Sequence, residues 1–345
     1  MTTGRMLIAS LFLVAGSMVA CSMAGCQPSK PKSVVGADNS ASKKITICLL
    51  PKIKGISYFS SCHTGALEAA QELGNIELIY DGPTDGDPKK QAEMIDQWVV
   101  DGVDVICVSP NAPDVVANAM TDARAAGVKV ITWDADGAAD SRELFVNQAT
   151  SQAIGEGMVN AMNGDLGPNA IGDVVIISSD ATSANQNAWI EVMKPALART
   201  KLNLATIKYP GENASNALAD AMDVIKKYPQ LKGIFGISSV SFPGAAEGVE
   251  QSTRIGEILV TGLSTPNDMK KYVNNGTVKS VVLWNTIDLG YLTVYVGDAL
   301  ARGKLKKGAA MIQAGRLGEK PIVGDNIMLG DILVFTKDNI DQFDF

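Results

Sequence analysis

From Lys44 onward, short apolar runs alternate with longer amphipathic stretches. "ITICLLP", "IELIY", "VDVICVS", "VKVITW" and "ELFVN" are each a few residues long and rich in Val and Ile. Runs of that kind suit strands covered on both faces of a parallel sheet. Between them, 64–73, 88–100 and 113–126 carry apolar residues at helical spacing. In "QAEMIDQWVV", Met94, Ile95, Trp98 and Val99 share one stripe, which is core rather than a cofactor box. The alternation then restarts. Helices are predicted over 151–163, 185–199, 214–228, 243–252, 266–275 and 287–302, separated by the strands "DVVIIS", "LATIKY", "KGIFGIS", "EILVTGL" and "KSVVLW". Two successive βα series predict an α/β protein of two doubly wound parallel-sheet lobes.

The N-terminal segment falls outside this pattern. "MTTGR" followed by "MLIASLFLVAGSMVA" reads as an export signal, too short and too rich in small residues for a permanent span. Cys21 and Cys26 follow in small-residue contexts. "SMAGC" resembles a bacterial lipobox; both cysteines have Met where the consensus has Leu, and Ala24-Gly25 matches better than Val19-Ala20, which favours Cys26 over Cys21 as an acylated residue. Lipidation there would anchor an exported protein of the periplasm or cell envelope to a membrane. The Pro, Ser and Lys rich stretch over 27–43 reads as a flexible tether. Signal 1–26 and tether 27–43 therefore precede the folded part.

Bulk composition narrows the chemistry. The chain has 345 residues, 46% hydrophobic and 19% charged, enough for two ordinary cores. A net charge of −7 leaves no phosphate-neutralising surplus, so a nucleic-acid partner is not expected. His63 is the only histidine, and no cysteine–histidine metal spacing exists. Of the cysteines in the folded part, Cys48 and Cys107 sit inside strand patterns and read as buried free thiols; Cys62 makes the count odd. The acidic "YDGPTDGDP" has Ala92 where a calcium loop needs Glu, and "GEGMVN" is a broken dinucleotide fingerprint inside a helix. Neither a metal nor a cofactor is implied.

Ligands of open α/β sheets bind beyond the carboxyl ends of the strands. There the sequence places Lys52, Tyr58 and Phe59 after the first strand, and Asp134 and Asp136 after "VITW". Asn147 ends the fifth strand. Asn185, Gln186, Asn187 and Trp189 follow "VVIISS", Pro243, Gly244 and Ala245 follow "IFGIS", and Asn285 and Asp288 follow "SVVLW". Carboxylates accept two hydroxyls at once, amides both donate and accept, and aromatic rings cover an apolar ring face. That inventory suits a neutral, polyhydroxylated guest. Glycosidic chemistry is the rival, but its two carboxylates must flank the bond roughly 5–9.5 Å apart. Asp134 and Asp136 are two residues apart on one segment and are expected on one face, while the opposite lobe presents Asn185, which cannot ionise. Binding without catalysis fits better.

The segments "LLPKIKGISYF", "YDGPT", "VITWDAD", "FVNQA", "ATSANQNAWIE", "GLSTPNDMKKYV", "LWNTIDLGYL", "GRLGE" and "VFTKDNIDQFDF" carry a resemblance over nearly all of 44–345. The chain resembles type I periplasmic sugar-binding proteins, the ribose-binding-like solute receptors of ABC importers, closest to the rhamnose-binding and autoinducer-2-binding branch. The resemblance implies two lobes joined by three crossing segments, the first comprising 44–147 plus 285–325 and the second 148–284 plus 326–345. It implies ligand contacts at Lys52, Asp134, Gln186, Pro243 and Ala245, with Tyr58 and Phe59 stacking on the ligand ring. Asp136 and Asn285 are added from their strand-end positions. At Asn185 autoinducer-2 receptors have aspartate and the rhamnose type has asparagine, which favours a sugar such as rhamnose; autoinducer-2 stays as the alternative. The implied protein is a monomer that closes on its ligand and docks a membrane permease driven by a partner ATPase, with no cofactor. A sugar-responsive regulator of the same fold would need a helix-turn-helix where this chain has its export signal.

Overall fold

The computed structural model describes residues 43–306 and 308–345. The export segment with Cys21 and Cys26, and the tether as far as residue 42, lie outside the described residues. The first lobe opens with β1 (Ile45–Leu50), α1 (Ser57–Leu73), β2 (Ile76–Tyr80), α2 (Pro88–Asp101), β3 (Val105–Val108), α3 (Pro113–Ala125), β4 (Lys129–Trp133) and β5 (Phe145–Asn147). The second follows with α4 (Ser151–Leu166), β6 (Gly172–Ile177), α5 (Ala184–Ala198), β7 (Leu202–Lys208), α6 (Ala214–Lys227), β8 (Leu231–Gly236), α7 (Ser241–Gln251), β9 (Leu259–Gly262), α8 (Pro266–Asn274) and β10 (Val278–Leu283). The chain returns through α9 (Thr286–Ala301), β11 (Met311–Gln313), β12 (Glu319–Val323) and β13 (Asn326–Met328), and ends with β14 (Leu333–Phe335) in the second sheet.

The first sheet has the order β11-β12-β13-β5-β4-β3-β1-β2 and the second β14-β10-β9-β8-β6-β7. Their parallel cores are equivalent. Numbered within each lobe, both run 2-1-3-4-5, with a switch point between β1 and β3 and between β6 and β8. Residues just past β1, β3, β6 and β8 therefore face the crevice where doubly wound sheets bind ligands. The central strands are buried almost end to end, as in β3 and β9, because helices cover both faces. Helix starts follow local chemistry. Asp87 caps α2 by accepting from the Lys89 N–H at 2.9 Å, with Pro88 in the first turn, and Thr150 caps α4 at 3.1 Å.

Three places depart from the sequence expectation. Helix α1 begins at Ser57 rather than 64, so Tyr58 and Phe59 lie in its first turn. The strands β11 to β14 were not expected; each is three to five residues long, too short for a periodicity. Strand β13 pairs in parallel with β5, so the first lobe extends past 325 and the third crossing falls at 329–332. The other crossings are 148–150 and 284–285. Cys48, Cys62 and Cys107 are free and buried.

Helices α1 and α9 pack backbone to backbone. A Cβ on Gly65 would lie 1.8 Å from the Ile287 carbonyl oxygen, and one on Gly290 would lie 1.8 Å from that of Cys62. Since α9 directly follows the second crossing, this contact holds one end of the hinge against the helix that carries Tyr58. Gly65→Ala or Gly290→Ala is expected to force the helices apart and destabilise the protein by about 1–3 kcal/mol or more, read by urea unfolding. Gly164, on α4 with nothing within 4 Å of its Cβ position, serves as the tolerant control for alanine.

Candidate functional site

Strand β4 delivers Asp134 in an uncommon backbone conformation. Its φ is +62°, and the Ala135 N–H donates to the Trp133 carbonyl at 2.6 Å, the pattern of the strained, positive-φ γ-turn. A non-glycine residue held this way marks a place where the surroundings over-determine the geometry. Those surroundings are visible. The Asp134 N–H donates to Val146 at 3.2 Å, Tyr58 O–H donates to Oδ1 at 2.8 Å and Ser109 O–H to Oδ2 at 2.7 Å. Trp284 Nε1 in turn donates to the Tyr58 oxygen at 3.0 Å. Burial, followed by the neighbouring Asp134 carboxylate, pushes the Tyr58 hydroxyl well above its ordinary pKa, so it stays a donor.

Lys52, just past β1, places its Nζ 3.9 Å from Asp134 Oδ2, and both residues are 4% exposed. The same ammonium crosses to the second lobe and donates to Asn185 Oδ1 at 2.9 Å. Asn185 and Gln186 open α5. The Gln186 oxygen accepts from Ser178 O–H at 2.6 Å and from Ser179 N–H and O–H, both at 2.8 Å. That saturation assigns the amide orientation and leaves its NH2 for a ligand. From the loop after β7 comes Glu212. Loss of water raises its carboxyl pKa first of all; Lys52 and a Ser179 hydrogen bond oppose the shift, while Asp134 and Asp180 add to it.

These groups line one cavity of about 410 Å³ of empty space, partly open to solvent. Rings form a connected wall: Phe59 meets Trp133 at 5.5 Å and Tyr58 at 5.0 Å, Tyr58 meets Trp284 at 6.1 Å, and Trp284 meets Trp189 at 6.1 Å. Among the described residues no group of three or more potential ligands could hold a metal ion. The arrangement offers acceptors, donors and apolar ring faces, the contacts a hydroxylated ring would use.

Of the residues expected from sequence, Lys52, Tyr58, Phe59, Asp134, Asn185, Gln186 and Trp189 line this cavity. Asp136, Pro243, Ala245 and Asn285 do not. The turn at Asp134 breaks the strand alternation, so Asp136 does not share its face. Asp136 instead accepts from Arg142 Nε at 2.7 Å and Nη2 at 2.6 Å, and from Thr132 at 2.6 Å. Arg142 also donates to Asp325 at 2.6 Å, tying the β4 loop to the turn before β13. Pro243 sits in the first turn of α7, where its missing N–H costs nothing, and Ala245 is packed into the core. Asn285 caps α9, accepting from the Asp288 N–H at 3.1 Å. Sequence reasoning missed Glu212, Trp284 and the aliphatic residues Ile237, Leu263 and Leu283. All lie at or just past strand ends, so the strand-end rule reaches them; they were passed over as loop or core.

Residues 47–305 match a family described as the periplasmic binding protein domain. A sugar ABC transporter structure from Actinomyces odontolyticus ATCC 17982 is 33% identical, covers 87% of this chain and 98% of its own, and superposes with a TM-score of 0.71. An ABC transporter solute binding protein from Clostridium phytofermentas with bound L-rhamnose is 26% identical, covers 87% and 98%, and has a TM-score of 0.81. LsrB from Clostridium saccharobutylicum in complex with AI-2 shares the fold at a TM-score of 0.83, with 24% identity and coverage of 87% and 100%.

The raised Glu212 carboxyl carries a pH signature. The folded protein holds that proton more tightly than the unfolded chain, so stability falls as pH climbs from the ordinary carboxylate range through the raised value. Glu212→Gln removes the ionisation and keeps the shape. It is expected to raise the melting temperature at pH 8 and to leave it unchanged at pH 4, a comparison made by calorimetric scanning without ligand.

Proposed function

The chain belongs to the periplasmic binding protein domain family, and we propose that it is the extracytoplasmic solute receptor of an ABC importer for a neutral, rhamnose-like sugar. One observation carries the reading: a cleft between the lobes brings together Lys52 and Asp134 from one side and Asn185, Gln186 and Glu212 from the other, walled by aromatic rings. Sugar hydroxyls accept from the lysine and the Gln186 amide and donate to the carboxylates, while the ring's C–H face lies on Tyr58 or Phe59. These bonds form together when the lobes close, so ligand selects the closed state. The closed receptor then docks the permease that its partner ATPase drives. The reading is of binding without chemistry, by a monomer.

Similarity to the L-rhamnose-bound protein supports a deoxysugar. Asn185 supports it too, being an uncharged amide where autoinducer-2 receptors have a carboxylate. Reception of autoinducer-2 is the second reading, favoured by Lys52, Asp134 and Gln186, which match the contacts of such receptors. Acylation at Cys26, or at Cys21, would hold the receptor at the membrane while the tether gives it reach.

Titration calorimetry with L-rhamnose and autoinducer-2 separates the readings: L-rhamnose is expected to bind and autoinducer-2 not. Asp134→Ala is expected to weaken sugar binding about 10- to 100-fold, as loss of charge-assisted hydrogen bonds does; unchanged affinity would remove Asp134 from the site. In cells fed a labelled fatty acid, Cys26→Ser is expected to abolish incorporation and Cys21→Ser to leave it intact.

A further inference from the structure

The amide and carboxyl side chains that the second lobe brings to the cavity gather on one side of its sheet. Gln186 and Asn185 follow β6, and Glu212 follows β7, the edge strand beside it. On the other side of the switch point stand β8, β9 and β10, neighbours in that order. Each ends in an aliphatic side chain that lines the cavity: Ile237 after β8, Leu263 after β9 and Leu283 closing β10. Adjacent strands lie about 4.8 Å apart, so the three form a continuous strip roughly 10 Å long. The two serines that follow Ile237 also line the cavity, at the β8 end of this strip. Ser238 Oγ accepts from the Ser241 N–H at 2.9 Å, and the Ser239 carbonyl accepts from Ser264 at 3.1 Å. Backbone groups there are also taken, since the Ile237 N–H donates to Ile177 and the Leu263 N–H to Gly236.

We propose that the strip of Ile237, Leu263 and Leu283 is a specificity element that takes the exocyclic methyl of a 6-deoxy sugar and rejects the hydroxymethyl of its 6-hydroxy counterpart. This rests on the sugar-receptor reading and adds to it the part of the ligand that is read apolar. With ring hydroxyls held by Asp134, Gln186 and Lys52, the far end of the sugar meets the strip. A methyl there is removed from water against aliphatic carbon. A hydroxymethyl set against Leu283, two strands away from the Ser238 and Ser239 hydroxyls, buries its oxygen on aliphatic carbon, and the unmade hydrogen bond is lost from its affinity.

The test is calorimetry on wild-type protein with matched pairs, L-rhamnose against L-mannose and D-fucose against D-galactose, which differ in that one oxygen. In a pair that binds, the deoxy member is expected to bind roughly 10- to 100-fold tighter. Leu263→Asn is expected to narrow the ratio by improving the hydroxymethyl sugar, and Leu263→Met to preserve it. Equal affinities, or tighter binding of the hydroxymethyl member, would overturn the strip's role and leave the sugar reading standing. No binding by either member of either pair would overturn both. The wild-type comparison holds even where a Leu263 variant fails to fold.

Discussion

Lys52 and Asp134 stand 3.9 Å apart with almost no access to water, and the rest of the cleft is organised around that pair. Removing two charges from solvent is costly, and mutual attraction offsets the cost only when the remaining lone pairs and protons find partners. Here Tyr58 and Ser109 satisfy the carboxylate from the first lobe, and Asn185 satisfies the ammonium from the second. A third ionisable group, Glu212, is less well provided for, since its carboxyl is pushed toward the neutral form. The cleft is therefore polar but incompletely paired. Such a space suits a guest rich in hydroxyls, which would supply the missing partners.

The two lobes solve the same positioning problem with the same strand order. In each, the first strand and its neighbour across the switch point send their carboxyl ends toward the partner lobe, so Lys52 opposes Gln186 and Ile237 across the cavity, with Ser109 backing Asp134. The connecting helix α9 is held against α1 by two glycines, and Trp284 at the second crossing bonds Tyr58 on α1. The residues that line the cleft and the segments that cross between the lobes are thus a few bonds apart. Around them, the Arg142 guanidinium fastens the loop of β4 to the returning C-terminal hairpin, which keeps the strained turn at Asp134 in place.

Much of this was legible in the chain. Val- and Ile-rich runs separated by amphipathic stretches identify two doubly wound lobes because central parallel strands must be apolar on both faces. The strand-end rule reaches Lys52, Asp134 and Gln186 for the same topological reason. What escaped did so on physical grounds. Asp136 was grouped with Asp134 on the assumption of strand alternation, which the positive φ of Asp134 itself cancels. Strands β11 to β14 are too short for periodicity and exist through pairing with sheets already built. Glu212 sits in a Pro-Gly turn that reads as solvent-exposed loop, since nothing local reveals that another lobe will cover it. Asn285 stands where a ligand contact is plausible, and helix capping claims it instead.

The aromatic wall has one more consequence. Of the four tryptophans, Trp133, Trp189 and Trp284 belong to it, while Trp98 packs in a separate cluster beneath α2 and α3. Trp284 also bridges the lobes through its indole N–H. The protein therefore carries a built-in optical gauge of its cleft, with Trp189 and Trp284 lining the cavity, Trp133 one ring behind it, and Trp98 in a separate core cluster as background.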